Sequence, residues 1–273
     1  MKLILFLTLA FNLFCSVFLN NALAQTDSSH TFTSFDGTKI YYEIKGSGYP
    51  VVLVHGFIAT GEGWKKANVY NALQNAGFRV IILDMRGNGK SDKPHADEAY
   101  ANDAEAKDIM ELATMLKLNT YDVVGYSRGS IITARLLVLD KRVNKAVLGG
   151  MGTDFTNPEW PRRKMFYKLL SGDTVVPEFA PLMQRLQKDT TLDQQALAYM
   201  QKEQPSTPIA VLQKVKQPIL VISGDKDSDN GKAEDLAKVF SHAQFAQVPG
   251  DHGAAMATPE FGNKVVHFLK ESR

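Results

Sequence analysis

The chain has 273 residues, 44% hydrophobic and 22% charged, enough for one medium-sized domain that buries its core without disulfide or metal staples. Its formal net charge is +2, from 31 basic and 29 acidic residues with no basic block and no acidic tail. That balance argues against a nucleic-acid partner and against a dedicated anionic-membrane surface.

The first two dozen residues differ from the rest. Met1-Lys2 is a short positive start, Leu3 to Leu19 is apolar apart from Thr8, Asn12 and Ser16, and Ala22-Leu23-Ala24 puts small residues where a signal peptidase reads. Residues 1–24 therefore read as a secretory signal peptide cut before Gln25. An uncleaved anchor is the competing reading, because the apolar stretch is only slightly short for a span. Cleavage implies a secreted or periplasmic protein with no stable membrane association. The single cysteine, Cys15, lies in this segment, and Asn12-Leu13-Phe14 before it lacks the small residues of a lipidation signal. The mature chain then has no thiol for a disulfide, a thiolate zinc site or a cysteine nucleophile.

Residues 25–30 are polar and read as a disordered leader. Thr31 to Phe35 and Lys39 to Ile44 flank Asp36-Gly37, a hairpin signal. Pro50-Val51-Val52-Leu53-Val54 and Arg79-Val80-Ile81-Ile82-Leu83 are short apolar runs that fit strands buried on both faces. Between them Tyr70 to Ala76 reads as a helix ended by Gly77. Ala104 to Leu118 carries Ile109, Leu112, Met115 and Leu116 at helical spacing. Tyr121 to Gly125 is the next strand, Ser130 to Leu139 an apolar central helix, and Lys145 to Leu148 a strand. Pro218 to Ile222 and Phe245 to Val248 are the last strands, and Pro259 to Lys270 closes the chain as a helix with proline in its first turn. Strands alternating with helices predict an α/β fold, a mostly parallel sheet covered on both sides. From about 153 to 215 the alternation stops, which predicts an inserted helical cap. The core then comprises residues 25–152 and 216–273.

Gly125-Tyr126-Ser127-Arg128-Gly129 is a G-x-S-x-G pattern between a predicted strand and a predicted helix. A nucleophile on so sharp a turn needs small neighbours, and the pattern carries weight only in that context. Serine needs a base to take its proton. His252, in Pro249-Gly250-Asp251-His252-Gly253, follows the last strand and so falls on the same sheet edge as Ser127. His30, His95, His242 and His267 sit in the leader, a polar loop, before a strand and inside a helix. A carboxylate should orient the imidazole. Asp225, Asp227 and Asp229 all lie just past the strand at 219–222. A plain polar turn or a calcium loop would use such residues too, but the glutamate that closes a calcium loop is absent.

These motifs resemble those of the α/β-hydrolase fold family, from about Thr31 to the C-terminus. Val52-Leu53-Val54-His55-Gly56-Phe57 is similar to the family's His-Gly oxyanion loop, and Asp84-Met85-Arg86-Gly87-Asn88-Gly89-Lys90-Ser91 to its D-x-R-G-x-G-x-S segment. The serine elbow and the two late loops complete the match. The resemblance implies Ser127 as nucleophile, His252 as base and Asp227, three residues after Gly224, as the acid. It also implies an oxyanion hole made by the backbone N–H groups of Phe57 and Arg128, with Asp84 and Arg86 bracing the elbow. Arg128 departs from the apolar residue common at its position, and Asp-His-Gly from the usual histidine context. The implied activity is carboxylic-ester hydrolysis on a small-molecule substrate, with no cofactor and no metal. Lactone, peptide or C–C cleavage, cofactor-free perhydrolysis, or silent binding on the same fold are the alternatives. Trp64 and Tyr126 are expected to line the substrate pocket, and Phe57, Trp160, Phe166, Tyr167 and Phe179 are further candidates.

Overall fold

The computed structural model describes residues 28–271, so the expected signal peptide at 1–24 lies outside the described residues. Strands β1 (Ser28–Thr33) and β2 (Lys39–Lys45) form the expected hairpin. The first strand begins earlier than its composition suggests. Ser28, Ser29 and His30, read as disordered, pair with Ile44, Glu43 and Tyr42. An edge strand is held by its backbone ladder, so polar side chains do not prevent it, and the His30 ring stacks on Tyr42 with centroids 5.3 Å apart.

Six more strands follow: β3 (Pro50–Val54), β4 (Arg79–Leu83), β5 (Tyr121–Tyr126), β6 (Val143–Gly149), β7 (Ile219–Gly224) and β8 (Ala243–Val248). Their order across the sheet is β1-β2-β4-β3-β5-β6-β7-β8. Only β2 runs against its neighbours; the pairs from β4 to β8 are parallel. The helices are α1 (Glu62–Lys66), α2 (Asn68–Asn75), α3 (Ala104–Met115), α4 (Arg128–Leu139), α5 (Pro161–Ser171), α6 (Ala180–Lys188), α7 (Gln194–Lys202), α8 (Ile209–Leu212), α9 (Ala233–Val239) and α10 (Pro259–Lys270). Helices α1 and α9 are not foreseen from sequence, because their five and seven residues are too few for a helical period to show.

The continuous apolar strands serve two cores at once, because successive side chains leave opposite faces. In β3, Val52 and Val54 face Ile131 and Leu136 of α4 and Leu112 of α3. Val51 and Leu53 face Leu73 of α2 and Phe261 and Val265 of α10. The stretch 153–215 between β6 and β7 holds α5, α6, α7 and α8, with a lone bridge from Leu192 to Asn88. Leu170, Leu186, Leu192, Leu197 and Met200 form an apolar cluster that closes on Tyr100 of the main body. Leu212 and Val215 belong instead to the sheet-side core, so its last turns lie against the main body. Among the described residues no helix is long and apolar enough to cross a membrane.

The chain runs from β3 outward to β4, then crosses back to β5 on the other side of β3. Adjacent strands whose connections leave in opposite directions open a crevice at their carboxyl ends. Val54 of β3 pairs with Gly125 of β5, so the His55-Gly56 turn and Ser127 emerge side by side at that crevice.

Candidate active site

Ser127 has φ 55° and ψ −125°, a backbone conformation that an L-residue rarely adopts. The turn is held by Ser127 N–H donating to Gly149 O at 2.8 Å and Ser130 N–H donating to Ser127 O at 2.9 Å. Its small neighbours are obligatory: a Cβ on Gly125 would lie 2.4 Å from Gly129 O, and one on Gly129 would lie 2.0 Å from Val54 O. The serine hydroxyl thus stands at the start of α4, clear of the sheet.

Three loops from different strands meet there. His252 Nε2 is 2.9 Å from Ser127 Oγ, and His252 Nδ1 is 2.9 Å from Asp227 Oδ2. The Asp227 side chain is only 4% exposed. The three carboxylates of this loop have separate tasks, and Asp227, the acid that the resemblance implies, is the one that meets the histidine. Asp227 faces His252, Asp225 accepts from Gly250 N–H at 2.8 Å, and Asp229 reaches Arg162 at 3.5 Å. Asp251 accepts from Gly253 and Ala254 N–H at 3.0 and 2.9 Å and so shapes the loop around His252. Tyr126 donates to His252 O at 2.7 Å with its ring 5.4 Å from the imidazole. Burial pushes the Tyr126 phenol pKa up, so this donor keeps its proton.

Gly56 lies against the serine; a Cβ there would sit 3.1 Å from Ser127 Cβ. His55 sets the direction of this turn. Its Nδ1–H donates to Gly56 O at 2.8 Å, and its Nε2 accepts from Met85 N–H at 3.0 Å. Accepting at Nε2 while donating from Nδ1–H requires the neutral ring. Burial lowers the His55 pKa below its ordinary value, although the bond to Gly56 O and the Asp84 carboxylate pull the other way. A trans peptide points its C=O and the next N–H in opposite directions. With Gly56 O held by His55, the Phe57 N–H is turned away from that ring. Arg128 is the first residue of α4, where backbone N–H groups have no partner within the helix.

Asp84 and Arg86 do not reach the crevice. Asp84 accepts from Gly61 and Lys90 N–H at 2.7 and 2.8 Å. Arg86 is fully buried, with Asp108 at 2.6 and 2.7 Å, Asp36 at 2.7 Å and the carbonyl of Ala99 as partners. Burial opposes ionisation of Asp36, but Arg86 and Thr38 hold its carboxyl at about 2.

Two cavities of about 200 Å³ flank the serine, and each is bordered by Phe57, Ser127 and His252. The core-side cavity is completed by Ala59, Trp64, Tyr126 and Met256. Both expected pocket residues, Trp64 and Tyr126, line it. The cap-side cavity lies under α5 and the end of α7, against Ile131, Met151, Trp160 and Phe166. Tyr167 and Phe179 border neither, in contrast to expectation. Phe179 packs behind Phe166 with ring centroids 5.0 Å apart, and Tyr167 packs against the apolar cluster of the insertion. Sequence reasoning missed Arg162, Arg163, Gln201, Gln204 and Asn230 on the cap-side wall. They belong to no motif; the fold of the insertion brings the first four to the serine, and the loop after β7 brings Asn230, which donates to Gly150 O.

The fold and the motifs agree with comparisons to known proteins. A Synechocystis protein provisionally named a non-heme chloroperoxidase is 43% identical over 111 residues, 40% of this chain and 39% of its own length. A non-heme chloroperoxidase of Streptomyces lividans is 35% identical over 122 residues, 43% of each chain. The match thus spans about two-fifths of the length of these curated relatives. The solved structure of an esterase from Exiguobacterium antarcticum superposes with a TM-score of 0.73 at 26% identity, covering 89% of this chain and all of that one. The profile of the alpha/beta hydrolase fold matches residues 49–187, the stretch that carries the His-Gly turn, the Asp84–Ser91 segment and the elbow. That match covers just over half of the chain, and the chain belongs to the α/β-hydrolase fold family.

Proposed function

We propose that the chain is an exported serine hydrolase that cleaves a carboxylic ester or a related acyl bond. One observation carries the reading: the continuous relay from Ser127 Oγ through His252 to Asp227, with 2.9 Å at both steps. Ser127 Oγ attacks the acyl carbon as His252 Nε2 takes its proton. Asp227 holds Nδ1–H and stabilises the imidazolium that forms. The N–H groups of Phe57 and Arg128 receive the oxyanion, and such donors contribute about 3–4 kcal/mol each to transition-state binding. The tetrahedral intermediate expels the alcohol, which takes the proton from His252. Water, activated by the same imidazole, then attacks the acyl-serine and releases the acid.

Hydrolysis of a 4-nitrophenyl ester series, acetate to palmitate, tests this. Turnover by the wild type should fall by at least about 10³-fold in Ser127→Ala, and equal rates in the two proteins would sink the reading. The chloroperoxidase names of the relatives favour a second use of the same site. Hydrogen peroxide in place of water would attack the acyl-serine, giving a peracid and free Ser127. Halide oxidation that requires acetate, peroxide and Ser127 together would establish it. A serine at the elbow speaks against epoxide opening, which needs a carboxylate nucleophile there. Export rests on the Lys2, Leu3–Leu19 and Ala22-Leu23-Ala24 pattern.

A further inference from the structure

The two cavities beside Ser127 differ in charge. The core-side one is walled mainly by apolar groups: Ala59, Trp64, Tyr126 and Met256. The cap-side one is bordered by Arg128, Arg162 and Arg163, and among the described residues no carboxylate lines it.

The three arginines are not equivalent. Arg128 is neutralised by Glu105, through hydrogen bonds of 2.6 and 2.5 Å, and also donates to Met200 O at 3.0 Å. Arg162 lies over the Phe166 ring, 5.3 Å from its centroid, and pairs with Asp229 at 3.5 Å on the surface. The donors of Arg163 go to neutral groups: Gln201 O at 2.8 Å, Ser206 Oγ at 3.0 Å, Pro158 O at 3.5 Å, and the carbonyl of Lys202. Carbonyls fix a guanidinium in place without cancelling its charge. Burial accordingly pulls the Arg163 pKa below the ordinary guanidinium value, and Glu203 and Glu159 oppose that only through space.

A second, independent observation points the same way. Arg128 Nε and Gln204 Nε2 are buried donors with no hydrogen-bond partner, and both residues line this cavity and are more than nine-tenths buried. Native structures rarely leave such donors unmatched unless something absent satisfies them. A held, uncompensated cation beside two unmatched donors is a receptor for an anionic acceptor.

We propose that the substrate carries a carboxylate on one half, seated under the cap against Arg163, with a small apolar half in the core-side cavity. The inference rests on the acyl-hydrolase reading and narrows it from esters at large to esters bearing a free carboxylate. The bonds made and broken are those given above.

Two probes place the carboxylate on either side of the scissile bond. The mono-4-nitrophenyl ester of glutaric acid carries it on the acyl half, and 4-acetoxybenzoate on the alcohol half. Each is compared with its neutral methyl-ester mate. In the wild type at least one charged probe should exceed its mate in kcat/KM by tenfold or more, mainly through KM. The advantage should shrink as salt is raised. In Arg163→Gln the ratio should fall to within about twofold of unity, and Arg163→Lys should recover part of it. Neutral mates preferred in both pairs, or ratios unchanged in Arg163→Gln, would overturn the proposal. The wild-type ratio and its salt dependence decide the matter even if a variant fails to fold. Calorimetric binding of glutarate and of 4-hydroxybenzoate to Ser127→Ala separates the two layers of the argument. Arg163-dependent binding without turnover of any ester would keep the anion site and sink the hydrolase reading. Turnover of neutral esters with no carboxylate advantage would do the reverse.

Discussion

At the scale of single residues, two neighbouring aspartates divide one loop between them. Asp227 bonds the imidazole, whereas Asp225 bonds the backbone of Gly250 and never reaches His252. Asp227→Asn presents an amide that favours the wrong imidazole tautomer, and kcat should drop by about 10³–10⁴-fold with the fold intact. Asp225→Asn should lower stability more than it lowers kcat. Kinetics and thermal unfolding of both variants on one ester check this; equal kcat losses would mean the two carboxylates share the task. Ser127 and His252 were legible from the elbow pattern and chain order; the residues alone left the acid among three aspartates, and the family resemblance singled out Asp227. That last choice depends on how the turn after β7 bends, which composition does not encode. Arg128 was legible as a departure, but its bond to Glu105 requires α3 to pack beside α4.

At the scale of elements, the turn after β3 depends on a neutral histidine. His55 bonds both Gly56 O and Met85 N–H, so it ties β3 to the segment after β4. Its pKa is below 6.5 in the folded chain, chiefly because burial disfavours the cation. The unfolded chain therefore binds a proton that the folded chain refuses. The contribution of His55 to stability is complete above pH 6.5 and is lost as pH falls through the folded value. One such group gives a slope of at most about 1.4 kcal/mol per pH unit, confined to the range between 6.5 and the folded value. Urea midpoints at pH 7.5 and 5.5 should show this slope in the wild type and a flatter one in His55→Gln. The same slope in both proteins would refute the assignment. Strands and long helices were legible because their apolar periods run for five residues or more. The short helices α1 and α9 were not, and neither was the start of β1, which is held by backbone pairing alone.

At the scale of the whole molecule, the sheet order and the crevice follow from alternating strands and helices, and the position of the site follows from the crevice. What the cap contributes to the crevice was not legible, because Arg163, Gln201 and Gln204 reach it by packing between α5 and α7. The proposed export concerns the entire chain, and mass spectrometry of the protein from its native host tests it. A mature N-terminus at Gln25 is expected; one at Met1 would sink the cleavage claim.

The closing helix adds a constraint of timing. Helix α10 supplies Phe261, Val265, Phe268 and Leu269 to one core face, where Gly262 lies so close to α2 that a Cβ would approach Asn68 Oδ1 to 2.6 Å. Lys145 in β6 clasps the end of that helix through the carbonyls of Phe268 and Glu271. The first third of the chain thus waits for its last dozen residues before that face can be sealed. Contacts so distant in sequence form slowly, and a chain that cannot finish this core face until α10 has been made remains threadable in the interval when a translocation channel would need it so.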